Sequence, residues 1–434
     1  MSAHAGMTAR EIVDSIQSGT SSSREVVDAH LEQISRHDDK IRAFETVYPG
    51  MVRSEADGLD ARHAAGARFP LHGVPVGVKD IIDVAGMPTI AGFEPYRNNI
   101  ARTDATVVSR LRALGALPLG KTHTTQFAVG DPAPTGNPWN LDKSPAGSSA
   151  GSGAAVPAAM APVTLGSQTA GSMLRPAAFN GCVGFKPTFG WMPLDGVMPL
   201  CWSLDHLGVY AANVGDTSLV YHSLTGRGDS IDAAPGRPRI ALLPEYLGLS
   251  DEAVAEHVRA VAKHLELDGA IVDLVDLPVP FDDIFAVHQV IFSAEMSAVH
   301  SENLNRFPDD YGPRIRTGVE AGSLIPATYL LRAHRLQRKL LQQVDAWLRQ
   351  YDAVMLPTVS TEACDRAETG DRRFQVPATL LGLPAISLPT GLSHNKLPLA
   401  TQLIGRAGDE SALLGIAAQV EATNGLIGRP TLNP

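Results

Sequence analysis

Serines and glycines crowd two nearby segments of this chain, Pro145-Ala-Gly147-Ser148-Ser149-Ala150-Gly151-Ser152-Gly153 and Gly166-Ser167-Gln168-Thr169-Ala170-Gly171-Ser172-Met173-Leu174-Arg175. Glycine at this density serves a backbone that bends sharply or closes on a ligand. An apolar run from Ala154 to Leu165 separates the segments, so Ser148 and Ser172 can meet in space. A serine hydroxyl is a weak nucleophile until a base stands beside it, which makes acyl transfer the chemistry to look for.

Two short patterns offer competing chemistry. Gly115-Ala-Leu-Pro-Leu-Gly120-Lys121-Thr122 fits the phosphate-loop spacing. A phosphate loop needs a strand before its first glycine and a polar turn after it. Here a helix precedes Gly115, and Leu117-Pro-Leu119 itself reads as a strand, so the match is set aside and nucleotide binding through Lys121 is kept only as the alternative of a different class. Gly147-Ser-Ser149-Ala-Gly151 fits the nucleophile elbow, with His206 or His394 as the base it would need. Upstream of it, however, Asn137 to Pro145 is a polar, proline-broken loop and not a buried strand.

The elements that must position these residues alternate between strand and helix, which indicates an α/β sheet. Apolar spacing predicts helices over Thr8–Gln17, Ser22–Ser35, Thr106–Leu114, Glu252–Leu265, Phe281–Asn303 and Ala327–Gln350. Short apolar runs at Gly73–Val78, Arg239–Leu243, Ala270–Val275, Ala353–Leu356 and Ala385–Leu388 read as strands, and 226–237 as a linker.

The chain has 434 residues, 44% apolar and 19% charged, a globular composition with core enough to bury a site. Its net charge of −10 and lack of a basic cluster argue against a nucleic-acid surface. No signal-like or eighteen-residue apolar stretch is present, so a cytoplasmic protein with no membrane partner is expected. Cys182, Cys201 and Cys364 are odd in number and scattered. They suit a reducing compartment and offer no metal spacing, so neither metal nor cofactor is expected.

Over most of its length the chain resembles the amidase signature family. The resemblance rests on Leu71-His-Gly-Val-Pro-Val-Gly-Val-Lys79-Asp80, Asp104-Ala-Thr-Val-Val108, the segment from Gly147 to Thr188, Ser203-Leu-Asp-His-Leu-Gly208 and Gly382-Leu-Pro-Ala-Ile-Ser-Leu-Pro389, and is weakest between about 226 and 327. It implies an α/β/α sandwich with a mixed central sheet covered by helices on both faces. It also implies one amidase domain with a helical segment 1–70, a catalytic core 71–225, a smaller variable lobe 226–326 and a C-terminal part 327–434 returning to the core. By the same resemblance Ser172 is the nucleophile, Ser148 the bridging serine after a cis Gly147–Ser148 peptide, and Lys79 the base. The N–H groups of Thr169, Ala170, Gly171 and Ser172 form the oxyanion hole. A lysine acts as base only when neutral, and the apolar run Val74 to Val78 could desolvate Lys79 enough to lower its pKa.

Departures from the family pattern are where substrate choice is expected. Gln168 and Ala170 replace an acid and a glycine in the turn before Ser172, and His123 and Gln126 stand where asparagine and glutamate are frequent. Arg175 either pairs with a substrate carboxylate or is spent on an ion pair or backbone carbonyls. The expected function is hydrolysis of a small-molecule amide by a metal-independent enzyme, with a homodimer as the assembly. Within the family the alternative is a glutaminase subunit of a tRNA-dependent amidotransferase, which would need a partner chain.

Overall fold

Thr8 and Ser22 open the first two long helices through reciprocal caps. Each hydroxyl accepts from the backbone N–H three residues on, and Glu11 or Glu25 at that position reaches back to the cap's own N–H. The helices Ala9–Gln17 and Ser23–Ile41 then bury Ile12, Val13 and Ile16, and Val26, Val27 and Ile34. The computed structural model describes residues 4–227 and 236–432. Of the linker expected over 226–237, residues 228–235 lie outside the described ones.

The described strands form one sheet: β1 (Phe44–Val47), β2 (Pro75–Lys79), β3 (Leu117–Thr122), β4 (Val163–Gln168), β5 (Val183–Lys186), β6 (His206–Ala211), β7 (Arg239–Leu242), β8 (Ile271–Leu274), β9 (Ala353–Pro357), β10 (Ala385–Leu392) and β11 (Pro398–Ile404). Their order across the sheet is β1-β3-β2-β4-β6-β5-β10-β11-β9-β7-β8. The sheet is mixed: β3, β2 and β4 run parallel, as do β9, β7 and β8, and the strands between are antiparallel.

Strands β2 to β6 are buried at every residue, which requires cover on both faces. Val76, Val78, Val163, Leu165 and Val209 pack with Ile12 and Ile16 and with Val108 and Leu111 of the helix Thr106–Ala113. Leu117 and Leu119 pack instead against Val27, Leu31 and Ile34. At the other end of the sheet, Ile240, Met355, Ile386 and Leu403 pack with the helices Glu252–Leu267 and Glu410–Asn424.

The weakly resembling middle of the chain adds β7 and β8 to this same sheet and then two packed helices, Phe281–Arg306 and Pro313–Ser323. The second is not evident from spacing, because its buried stripe is only Ile315, Val319 and Gly322. The helix Pro49–Ala64 escapes the pattern for a similar reason, burying only Val52, Ala56 and Leu59. No helix among the described residues is long and apolar enough to cross a membrane.

Gly151 shows how tightly the serine-rich loop is seated. A Cβ there would overlap the Ala43 carbonyl oxygen and lie 2.5 Å from the His123 amide nitrogen, both rigid backbone atoms. Gly151→Ala is therefore expected to lower stability by about 1–3 kcal/mol in urea unfolding. A midpoint equal to that of the parent would show that the loop has room to move.

Candidate active site

Lys79 is the last residue of β2, at the carboxyl end of a parallel strand and flanked by wholly buried Val76 and Val78. Its side chain is 0% exposed. Nζ donates to Ser148 Oγ and to Ser167 Oγ, each at 2.7 Å. Burial pushes the Lys79 ammonium well below its ordinary pKa of 10.5, and the nearby Asp205 carboxylate opposes the shift without cancelling it. A lysine this dry carries a usable lone pair at lower pH than a surface lysine does.

Ser148 reaches Lys79 from a loop whose Gly147–Ser148 peptide is cis. The loop is held by its carbonyls: Thr125 N–H donates to Ser148 O at 3.1 Å, and Arg175 Nη2 donates to Gly147 O at 3.0 Å. Ser149, the would-be elbow nucleophile, is wholly buried. Its hydroxyl donates to Ser167 O and accepts from Ser167 N–H, stitching the loop to β4.

The turn from Thr169 to Ser172 is tied back by every one of its carbonyls. Thr169 O accepts from His288 Nε2 (2.9 Å), Ala170 O from Thr379 Oγ1 (2.8 Å), Gly171 O from Arg175 N–H (3.1 Å) and Ser172 O from Tyr210 Oη (2.9 Å). A carbonyl only accepts, so His288 carries its proton on Nε2, and burial pushes its pKa down to about 4, leaving it neutral. The four N–H groups of the same residues meet no protein acceptor among the described residues. Gln168 Oε1 takes the next two, Met173 N–H and Leu174 N–H, at the start of the helix Leu174–Asn180. Carbonyls turned away and amides left free are what an oxyanion site requires.

Ser148, Thr169, Ala170 and Ser172 line one cavity of about 530 Å³. Its far wall comes from the helices Phe281–Arg306 and Pro313–Ser323 and from residues 369–373. The Ser172 hydroxyl has no hydrogen-bond partner among the described residues and is free to turn toward a substrate. No group of three or more His, Cys, Asp or Glu among the described residues is placed to hold a metal ion.

Several expected substrate contacts fall elsewhere. Gln168 is wholly buried, its Nε2 on Thr379 Oγ1 and its Oε1 capping the helix after Ser172, so it shapes the turn and does not reach the cavity. His123 Nδ1 pairs with Glu45 at 2.8 Å, and Gln126 bridges to Asp310 O and Gly312 N–H. Both line a separate cleft. Arg175 does touch the cavity, but its guanidinium donates to Gly147 O, Thr369 O, Gly370 O and, at 3.4 Å, Gly171 O, which is the backbone-clasp alternative. Lys121 lies within β3, wholly buried, ion-paired to Asp80 at 3.0 Å and bonded to Pro88 O and Thr89 Oγ1, leaving no room for a phosphate.

Other contributors emerge only in three dimensions. Ser167 lies inside the Gly166–Ser172 segment without any mark of its own, and its hydroxyl shares the Lys79 amine. Asp205, within Ser203–Gly208, accepts from Thr169 Oγ1 at 2.6 Å and from Leu200 and Cys201 N–H. His288 and Thr379 arrive from 119 and 209 residues away, and no local pattern announces them.

Residues 25–414 match the family described as Amidase. The A subunit of the glutamyl-tRNA(Gln) amidotransferase of Halothermothrix orenii is 31% identical, aligned over 98% of this chain and 99% of its own. That of Roseiflexus castenholzii is 33% identical over 94% of each. Among solved structures, one described as revealing the evolutionary origins of an s-triazine catabolic enzyme superposes with a TM-score of 0.90 at 31% identity, covering 98% of this chain and 100% of that one. The peptide amidase of Stenotrophomonas maltophilia superposes with a TM-score of 0.87 at 26% identity, covering all of both chains.

The clasp role of Arg175 has a measurable consequence. Arg175→Met leaves three carbonyls in two loops without their donor and is expected to cost on the order of 2–4 kcal/mol in urea unfolding. A loss below about 0.5 kcal/mol, within the range of ordinary surface substitutions, would show that the guanidinium does not join the loops.

Proposed function

Because the chain belongs to the amidase family, we propose that it hydrolyses the C–N bond of a small amide through an acyl-enzyme on Ser172, with Ser148 as proton relay and Lys79 as base. The observation that carries this reading is the wholly buried Lys79 amine 2.7 Å from the Ser148 hydroxyl, in the cavity wall that also presents Ser172.

The substrate carbonyl oxygen sits against the free amides of the 169–172 turn. As Ser172 Oγ attacks, its proton passes to Ser148 Oγ, whose own proton passes to the neutral Lys79 Nζ. The tetrahedral centre collapses with cleavage of the C–N bond, and the proton returns along the same path to the departing amine. Water then attacks the ester by the reverse relay, releasing acid and regenerating Ser172. Each oxyanion donor contributes on the order of 3–4 kcal/mol to such a barrier.

A second reading has its own support. Relatives of 31% and 33% identity over nearly their whole length are named as the A subunit of an amidotransferase, which favours a glutaminase that hands ammonia to a partner. Both readings use the same acyl-enzyme and differ in whether the chain alone turns over an amide. Ammonium release from an amide panel by the isolated chain decides between them, and release only on addition of a partner would favour the second.

Ser172→Ala is expected to lower kcat at least about ten-thousand-fold with the fold intact. Retention of turnover would remove the nucleophile. Lys79 must be neutral to accept a proton, and its pKa is lowered, so kcat should rise with pH through an ionisation well below 10.5 and then level off. A flat profile across that range, or one rising only near 10.5, would contradict the lysine base.

A further inference from the structure

The cavity that presents Ser172 is lined by four arginines, Arg175, Arg314, Arg372 and Arg373, against one acid, Asp371. In a chain of net charge −10 this is a local inversion of sign, and a concave site concentrates such a field. Three of the four are already engaged. Arg175 serves backbone carbonyls, Arg373 pairs with Asp371 at 2.7 Å, and Arg314 faces Asp131 and Glu368 at 3.5 and 3.8 Å.

Arg372 differs from the others. Among the described residues no carboxylate lies within ion-pairing distance of its guanidinium. Of its five N–H donors, one is given to Gln289 Oε1 at 2.6 Å, and that amide is fixed by its own Nε2 bond to Ser293 Oγ at 2.9 Å. The Phe292 and Phe285 rings flank the guanidinium at 5.3 and 6.0 Å from its carbon, stripping water from it while leaving donors uncommitted. Leu200 and Met296 complete an apolar stretch of wall that methylene groups can occupy. A partly desolvated, oriented cation with donors to spare, acted on by Asp371 only from beyond ion-pairing distance, is a seat for a planar anion, which arginine holds by paired charge-assisted bonds.

We propose that Arg372 binds the carboxylate of the substrate, so that the enzyme takes a dicarboxylic acid amidated at one end, with a short carbon chain between the amide at Ser172 and the carboxylate at Arg372. The inference rests on the acyl-enzyme reading of Ser172. The same excess of positive charge disfavours an α-ammonium group, so glutaramate is preferred to glutamine.

The test compares kcat/KM for malonamate, succinamate, glutaramate and glutamine with that for neutral butyramide, in the parent protein, Arg372→Met and Arg372→Lys. In the parent, at least one half-amide should exceed butyramide by about tenfold or more and glutaramate should exceed glutamine. In Arg372→Met the half-amide to butyramide ratio should fall about 100-fold, carried by KM, as when one partner of a desolvated charge contact is removed. Arg372→Lys should restore part of it. A ratio unmoved by Arg372→Met, or glutamine as the preferred substrate, overturns the inference. Thermal shifts with malonate, succinate and glutarate on Ser172→Ala protein separate it from the acyl-enzyme reading. Stabilisation that vanishes when Arg372→Met is added upholds the carboxylate seat even if no amide is turned over, an outcome that would count against Ser172. Absence of any dicarboxylate shift overturns the seat even if neutral amides are hydrolysed.

Discussion

Removing one amine from water organises this structure. Lys79 ends a strand buried on both faces, and its nitrogen touches two serine hydroxyls and no solvent. The cost of burying a charge there is large enough that the amine is held well below its ordinary pKa, even with the Asp205 carboxylate close enough to pull the other way. Everything that keeps water from Lys79 therefore bears on its basicity: the parallel neighbours β3 and β4, the seated 147–151 loop, and Ser167 supplying a second polar contact in place of a water molecule.

Around that amine the chain controls polarity by deciding which half of each peptide faces the cavity. From Thr169 to Ser172 every carbonyl is drawn outward by a donor: His288, Thr379 and Tyr210 come from other parts of the fold, and the Arg175 N–H from the start of the next helix. The amides are left pointing at nothing else among the described residues, which on the proposed mechanism makes an oxyanion site of backbone that costs no reorganisation when charge develops. Arg175 is the common fastener, because one guanidinium holds carbonyls of the first serine loop, the second serine loop and the 369–370 segment. Side chains far from Ser172 in sequence thus shape the turn that presents it.

What is legible in the sequence is local. Lys79, Ser148 and Ser172 stand in contiguous motifs, each carrying its own glycine or apolar signature, and the long amphipathic helices declare themselves by spacing. The helix Phe281–Arg306 is legible almost to its end. What is not legible depends on partners brought by the fold. Arg175 and Gln168 sit beside Ser172 in sequence, yet the Arg175 guanidinium is consumed by carbonyls of residues 147 and 369–370 and Gln168 Nε2 by Thr379, partners that only tertiary structure delivers. His123 and Gln126 follow the Gly-Lys-Thr segment but turn into a neighbouring cleft, and Lys121, which satisfies a nucleotide-binding spacing, is locked against Asp80. Conversely, Arg372 lies in a stretch without any signature, and its prominence comes from Phe285, Gln289 and Phe292 of a helix in the least family-like part of the chain. The proposed chemistry is thus written in the motifs, and the proposed carboxylate seat depends on a helix that the fold brings to Arg372.

Catalysis by the proposed relay depends on the protonation state of one side chain. With lysine labelled at 13Cε, the Lys79 resonance can be assigned by its absence in Lys79→Arg protein and followed with pH in the folded enzyme. It should titrate well below 10.5, apart from the exposed lysines, showing a neutral amine over a pH range where those are still charged. A Lys79 signal titrating with the surface lysines near 10.5 would contradict the buried neutral base on which the relay through Ser148 depends.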